Sequence, residues 1–176
     1  MVDEARDTDA EAQLAGFFAD YEPAVAGLGK ALRAKLRDRL PGLSEVVYVY
    51  EGQDALVIAY SPTEHGYEGL CSIALYPSSV KLFFGQGAQL SKSDPGRLLQ
   101  GRGKTVRHVV LSSVADFDRA EIQALIAAAV KLAKVRLDPS AKGSVILRTE
   151  AQKQRARRAT KAARPASTPR TPKARR

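Results

Sequence analysis

The residues best suited to chemistry lie in one glycine-rich connection between two strand-like runs, VKLFF (80–84) and TVRHVVL (105–111). Glycines let successive backbone N–H groups point into one concavity, and such concavities attract anions. Lysine and arginine side chains interleave with these glycines and would add positive charge to the same site. The sequence therefore predicts an anion-binding loop. Its candidate ligand-binding residues are Lys92, Arg97, Gly101, Arg102, Gly103, Lys104, Arg107 and His108.

Part of this loop, GRGKT (101–105), resembles a nucleotide-binding P-loop. A P-loop also needs a glycine five residues before the glycine that precedes the lysine, and Leu98 stands at that position. The motif must also open a helix, whereas a strand is predicted directly after Thr105. The sequence therefore argues against an NTPase of this type.

The two histidines and the single cysteine form no complete catalytic or metal-binding pattern. A histidine-based catalytic dyad needs a nucleophile held beside it, and two histidines with one cysteine make a poor zinc site. We therefore predict a protein that is not an enzyme and has no catalytic residues, metal ligands or cofactor. An enzyme that uses His65 or His108 is the alternative, and Cys71 is expected to be a buried strand residue.

Charge divides the chain into two parts. Residues 1–150 contain 18 Lys and Arg against 19 Asp and Glu, a net charge of −1, whereas residues 151–176 contain the other ten cations and no acid. This tail has too little apolar surface to fold alone, and we expect it to be disordered. It is predicted to bind nucleic acid nonspecifically by neutralising phosphates, and its lack of aromatic residues argues against single-strand specificity. The assigned tail residues are Arg155, Arg157, Arg158, Lys161 and Arg164.

A solubilising appendage is the alternative role for the tail. The first residues of the chain are acidic and polar, unlike a signal peptide. No apolar run approaches the roughly 18 residues of a membrane span. We therefore expect a soluble, cytoplasmic protein with no membrane partner. Its expected partners are an anionic small molecule or, through the tail, nucleic acid.

Leu14, Phe17, Phe18 and Tyr21 fall at helical spacing and predict a short turn or helix that docks on the core. Two longer helices are predicted around the strands. After Pro23, apolar residues at helical spacing indicate a helix that ends at Pro41-Gly42, with Lys30, Arg33 and Arg37 on its solvent side. Asp118 and Glu121 resemble a capping box that opens a second helix, which ends at Asp138-Pro139.

The strand signals lie between these helices. EVVYVYE (45–51) with ALVIAY (55–60) predicts one hairpin, and GLCSIALY (69–76) with VKLFF predicts a second. TVRHVVL is the fifth strand, and VIL (145–147) fits either a short strand or a docked turn.

Together these elements predict an α+β fold, a two-layer sandwich in which an antiparallel sheet of about five strands is flanked by N- and C-terminal helices on one face. The predicted organisation is a flexible acidic N-terminus (1–13), the α+β domain (14–149) and a disordered basic tail (150–176).

The runs LFFGQGAQLSKSDPGRLLQGRGKTVRHVVL and DFDRAEIQALIAAAVKLA resemble the second half of the YdhG-like domain of unknown function. That family typically shows an FF-x-G-A-x-L pattern, then D-P, then L-x-G-x-G-K-x-x-R-H. The resemblance covers residues 14–137 and implies a frataxin-like order of helix, sheet and helix. Some members are labelled frataxin-like iron chaperones, so the resemblance implies iron as the alternative cargo. The residues themselves favour a non-enzymatic binding domain with an anion-binding loop.

Overall fold

The computed structural model describes residues 2–50, 54–94 and 96–148, with side chains from residue 7 onward. This part of the chain contains six strands and five α-helices. The strands are β1 (Ser44–Tyr50), β2 (Ala55–Ser61), β3 (Cys71–Tyr76), β4 (Ser79–Phe84), β5 (Arg107–Leu111) and β6 (Val145–Arg148). The helices are α1 (Val2–Ala19), α2 (Pro23–Arg39), α3 (Gly87–Leu90), α4 (Val114–Asp118) and α5 (Ala120–Lys131).

The strands form one sheet in the order β5-β4-β3-β2-β1-β6. Strands β1 to β5 pair antiparallel with their sequence neighbours, as the hairpin signals predicted. The VIL run is a strand, β6, which pairs parallel with β1. Parallel pairing needs a long crossover, and here the crossover includes the other four strands. The predicted α+β fold is confirmed, with six strands rather than about five.

The helices pack on one face of this sheet. Side chains alternate between the two faces along each strand, and the face toward the helices carries Ile58, Leu75 and Leu82, all fully buried. Leu36 of α2 and Ile126 of α5 belong to the same core. The loop between β4 and β5, where the candidate site was predicted, therefore starts and ends at one end of this two-layer core.

Helix α1 covers most of the segment that was expected to be a flexible N-terminus (1–13). Ala10 is buried, and the Asp7 carboxylate accepts a hydrogen bond from the backbone N–H of Val145 at 2.7 Å. The Glu11 carboxylate pairs with the guanidinium of Arg33 at 2.8 Å. The sequence predicted a short turn or helix only from Leu14 onward, because the polar anchors of the first turns lie in elements distant along the chain.

Helix α2 forms where the apolar stripe predicted it, but Arg33 does not face solvent. Its side chain is 14% exposed and lies between two carboxylates. The Nε atom donates to both carboxylate oxygens of Glu45 at 3.0 Å, and Nη1 donates to Glu11 at 2.8 Å. Because a buried carboxylate needs a paired cation, Arg33 is what permits Glu45 to be buried on β1. We call Glu11, Arg33, Arg37 and Glu45 the ion network.

The C-terminal helical region differs from the prediction in both bounds. The capping box is formed by Ser113 and Asp116, which open α4. The Ser113 hydroxyl accepts a hydrogen bond from the Asp116 N–H at 3.3 Å, and the Asp116 carboxylate accepts one from the Ser113 N–H at 3.0 Å. Asp118 does not cap a helix; its carboxylate pairs with Lys35 at 2.8 Å. Helix α5 ends at Lys131, well before Asp138.

Candidate functional site

The connection between β4 and β5 is folded rather than open. It contains α3 and a 3₁₀ turn at Ser91–Ser93, and Gln100 exchanges two backbone hydrogen bonds with His108, at 2.7 and 3.0 Å. Asp94 is 8% exposed, and its carboxylate accepts from the backbone N–H groups of Leu98 and Leu99 at 3.0 and 2.8 Å. This carboxylate therefore fixes the returning half of the loop.

The predicted cations of this loop do not all converge. Arg107 turns inward, and its guanidinium donates to the backbone carbonyls of Gly103 and Val106. Lys92, Arg97, Arg102 and Lys104 are all exposed. Gly101 has a φ of 110°, a conformation that favours glycine, as the loop turns back toward β5. Lys104 is the predicted cation that lines a cleft.

His108 lies apart from these cations. Its ring packs on Phe83 with centroids 5.0 Å apart, on the sheet face opposite the helices. Partial burial, with a smaller effect from Lys81, lowers the pKa of His108. The other histidine, His65, stacks on Tyr67 with centroids 5.2 Å apart. Each histidine thus has an aromatic neighbour.

The cleft that Lys104 lines has a volume of about 480 Å³, within the usual range for ligand pockets. It lies where β4 ends and β5 begins, against the segment that follows α5. Lys134 enters it from that segment, and Gln86 and Gln89 enter it from the start of the loop. The Gln86 amide donates to the carbonyl of Leu132 at 3.1 Å, which ties the two sides together. We call this the Lys104–Lys134 cleft.

The surroundings of this cleft are strongly basic. Residues 85–108 hold five Lys and Arg and one acid, Asp94, whose carboxylate is bonded to backbone N–H groups. Residues 131–136 hold three more cations and no acid. Glu68 also lines the cleft, and its carboxylate accepts a hydrogen bond from the Thr63 hydroxyl. A positive potential is therefore concentrated at one end of a domain whose net charge is close to zero.

Sequence reasoning did not identify Lys134 or Gln86 as site residues. The segment around Lys134 was predicted to continue a helix up to Asp138, and no role was assigned to its cations. A run of three cations without an acid was visible at 131–136. Nothing in the sequence connected that run to the loop, because the two meet only through the fold.

The tail residues assigned to nucleic-acid binding, Arg155, Arg157, Arg158, Lys161 and Arg164, lie outside the described residues. Within residues 2–50, 54–94 and 96–148, no group of three or more His, Cys, Asp or Glu side chains is placed to hold a metal ion. In that same part of the chain, no helix has both the length and the apolar character needed to cross a membrane.

Comparison of the chain with protein-family models, with curated proteins and with solved structures finds no match. The resemblance to the YdhG-like domain therefore stays a prediction. The functional argument depends on the geometry and charge described above.

Proposed function

We propose that this chain is a non-enzymatic binding domain for phosphate-bearing anions, with the Lys104–Lys134 cleft as its site. The observation that carries the proposal is that two lysines from separate segments line one cleft in a basic region. Ammonium groups form charge-assisted hydrogen bonds with phosphate oxygens. The Gln86 and Gln89 side chains add neutral hydrogen-bonding groups to the same cleft.

Titration with pyrophosphate, followed by backbone amide NMR, tests this site. The amides of Gly85–Gln89 and Lys104–Thr105 should shift and saturate. Lys104→Ala and Lys134→Ala should each weaken binding roughly 10-fold, since a hydrogen bond to a charged group contributes about 1.5–3 kcal/mol. Lys92→Ala is the matched control, because it removes the same charge from an exposed position in the same loop.

Two results would contradict the assignment. One is the absence of shifts in the Gly85–Gln89 and Lys104–Thr105 amides. The other is equal weakening by Lys92→Ala and Lys104→Ala, which would show that pyrophosphate responds only to overall charge.

We also propose that the basic tail gives the chain nonspecific affinity for nucleic acid. Ten cations and no acid support this. Binding to duplex DNA should fall roughly 10³-fold between about 50 and 200 mM salt if six or more phosphates are contacted. Changing Arg155, Arg157, Arg158, Lys161 and Arg164 to glutamine in the full chain should lower both the affinity and the salt slope; an unchanged slope would refute the tail's role.

The alternative function, a frataxin-like iron chaperone, depends on the resemblance alone. Anaerobic calorimetry with ferrous iron tests it, and saturable heat at micromolar protein would favour it over the anion site. A cytoplasmic location is also part of the proposal, and the single cysteine supports it, since disulfide-rich composition marks secreted domains.

A further inference from the structure

The sheet has a second face, opposite the helices, whose side chains form two transverse rows defined by the strand register. We call these two rows, with Tyr50 and Tyr76 at one end of them, the open face. The first row is Arg148, Tyr48, Val57, Ala74, Lys81 and Val110. The second row is Ile146, Val46, Ala59, Ser72, Phe83 and His108.

Aromatic rings stand at both sides of this face with small residues between them. The rings of Tyr48 and Tyr50 stack on β1 with centroids 6.2 Å apart. Phe83 and His108 pack together on β4 and β5. Both pairs are partly exposed, whereas Ala59 and Ala74 between them are buried. Strands lie about 4.8 Å apart, so β1 and β4 are roughly 14 Å apart. Gly66 lies against the Tyr48 hydroxyl, so the segment before β3 covers part of the β1 side, and the side with Phe83 and His108 is the more accessible one.

The charged residues of the two rows, Lys81 and Arg148, are positive, whereas Tyr50 at the end of the face lines a cleft with acidic residues. Lys81 is the fifth of the six residues in the first row, one strand in from the edge strand β5, and its Nζ atom is 4.8 Å from the centre of the Tyr76 ring. Arg148 closes the same row at the edge strand, and the chain continues directly from it into the cationic tail. Neither row contains Asp or Glu among its described positions.

We propose that the open face binds single-stranded nucleic acid, with unpaired bases stacked on Phe83 and His108 while Lys81 contacts phosphate. Aromatic side chains on a sheet stack unpaired bases because every base presents a flat π surface. Duplex DNA keeps its bases paired and stacked internally, so this face discriminates between the two forms. The inference rests on the proposed tail affinity for attraction to phosphate, and it adds a strand preference that a tail without aromatic residues does not provide.

The charge of the open face favours single-stranded nucleic acid over two other occupants, the chain's own tail and a second copy of the chain. The tail itself is cationic and would meet Lys81 and Arg148 with like charge. A second copy docked face to face would bring another Lys81 and Arg148 to an interface whose two rows contain no Asp or Glu. A polyanion with exposed flat rings complements both the charge and the aromatic character of the face.

The test uses the full chain and a fluorescently labelled 12-nucleotide oligothymidine, with a 12-base-pair duplex as the comparison. Anisotropy should show at least 10-fold tighter binding to the single strand. Phe83→Ala should remove most of this preference, because losing one stacked ring costs roughly 10-fold. Phe83→Tyr, which keeps the ring, should retain the preference and so separates stacking from a folding defect.

The chain has no tryptophan, so Phe83→Trp places one reporter on the open face. Its fluorescence should be quenched on saturation with the single strand, since a stacked base quenches an indole, and much less with the duplex. Lys81→Ala should weaken single-strand binding more than Lys30→Ala, a matched loss of charge at an exposed position on α2.

The outcomes separate this inference from the proposed function. In one outcome, single strand and duplex bind equally, this binding is lost in the chain with the glutamine-substituted tail, and the fluorescence of Phe83→Trp is not quenched. That outcome would keep the tail's role and overturn the stacking face. Single-strand binding that depends on Phe83 but survives the tail substitutions would keep the stacking face and overturn the tail's role. A dimer that sedimentation shows to depend on Phe83 would assign the face to a second copy and overturn the inference.

Discussion

Replacing Arg33 with alanine should destabilise the domain more than any loss of an exposed ion pair. Arg33 is 14% exposed and its partner Glu45 is 3% exposed, so the substitution leaves a carboxylate in the core without its principal cation. Removing one partner of a buried pair typically costs 3–5 kcal/mol. Arg37 still lies 3.2 Å from Glu45 but is itself 48% exposed. We therefore expect Arg33→Ala to lower the free energy of unfolding by about 3 kcal/mol, the lower end of that range.

The assay is urea and thermal unfolding followed by circular dichroism. For a domain of this size, about 3 kcal/mol corresponds to a fall in Tm of roughly 6–12 °C. Lys35→Ala is the matched control on the same helix, because Lys35 pairs with Asp118 and both are at least 36% exposed. An exposed pair contributes less than about 1 kcal/mol.

A double substitution gives a second check on this reasoning. Arg33→Met with Glu45→Leu removes both buried charges, and it should cost less than Arg33→Ala alone because no unpaired carboxylate is left in the core. Equal losses of stability in Arg33→Ala and Lys35→Ala would refute the idea that burial of Glu45 depends on Arg33.

Three further predictions concern separate parts of the fold. Burial raises the pKa of the Cys71 thiol to about 12, so it should react with Ellman's reagent only after unfolding, and rapid labelling of the folded protein would contradict its burial. Ser113→Ala should cost about 1 kcal/mol in urea unfolding through loss of the α4 cap, while Ser113→Thr should retain most of the stability. A hydrogen bond from Arg33 holds the pKa of Glu11 below 4.5; its contribution is therefore complete above that pH and is lost as the pH falls through the lowered pKa. Urea midpoints should fall more steeply below pH 4.5 in the wild type than in Glu11→Gln, and parallel curves would exclude this linkage.

The hairpins and α2 were predictable because their signals are local. Alternating apolar residues with short turns indicate the β1–β2 and β3–β4 hairpins, and the stripe through Leu32 and Leu36 sets the buried side of α2. Helix α1 was predicted only from residue 14 onward and β6 only as one of two alternatives, because contacts such as Asp7 to Val145 join opposite ends of the domain. Each of these elements is stabilised by a neighbour that only the fold supplies.

The candidate site was predictable only where its residues are neighbours in the sequence. The glycine and lysine pattern identified the loop and Lys104, whereas Lys134 comes from a segment with no sequence link to it. Arg33 follows Leu32 by about 100° around the helix, so it lies at the border of the buried stripe rather than opposite it. A long side chain at that border reaches a carboxylate on the sheet, and helical periodicity alone does not reveal this.

The parallel pairing of β6 with β1 has a consequence for the order in which the chain folds. Neighbouring hairpins close short loops, but the hydrogen bond from the backbone of Ser144 to the Ser44 hydroxyl joins residues 100 positions apart. Loop-closure entropy rises with that separation and slows folding. Helix α1 is synthesised before β6, so its Asp7 contact waits for Val145 to be synthesised. Helix α1 can therefore pair with α2 through Glu11 and Arg33 well before it gains its contact with β6.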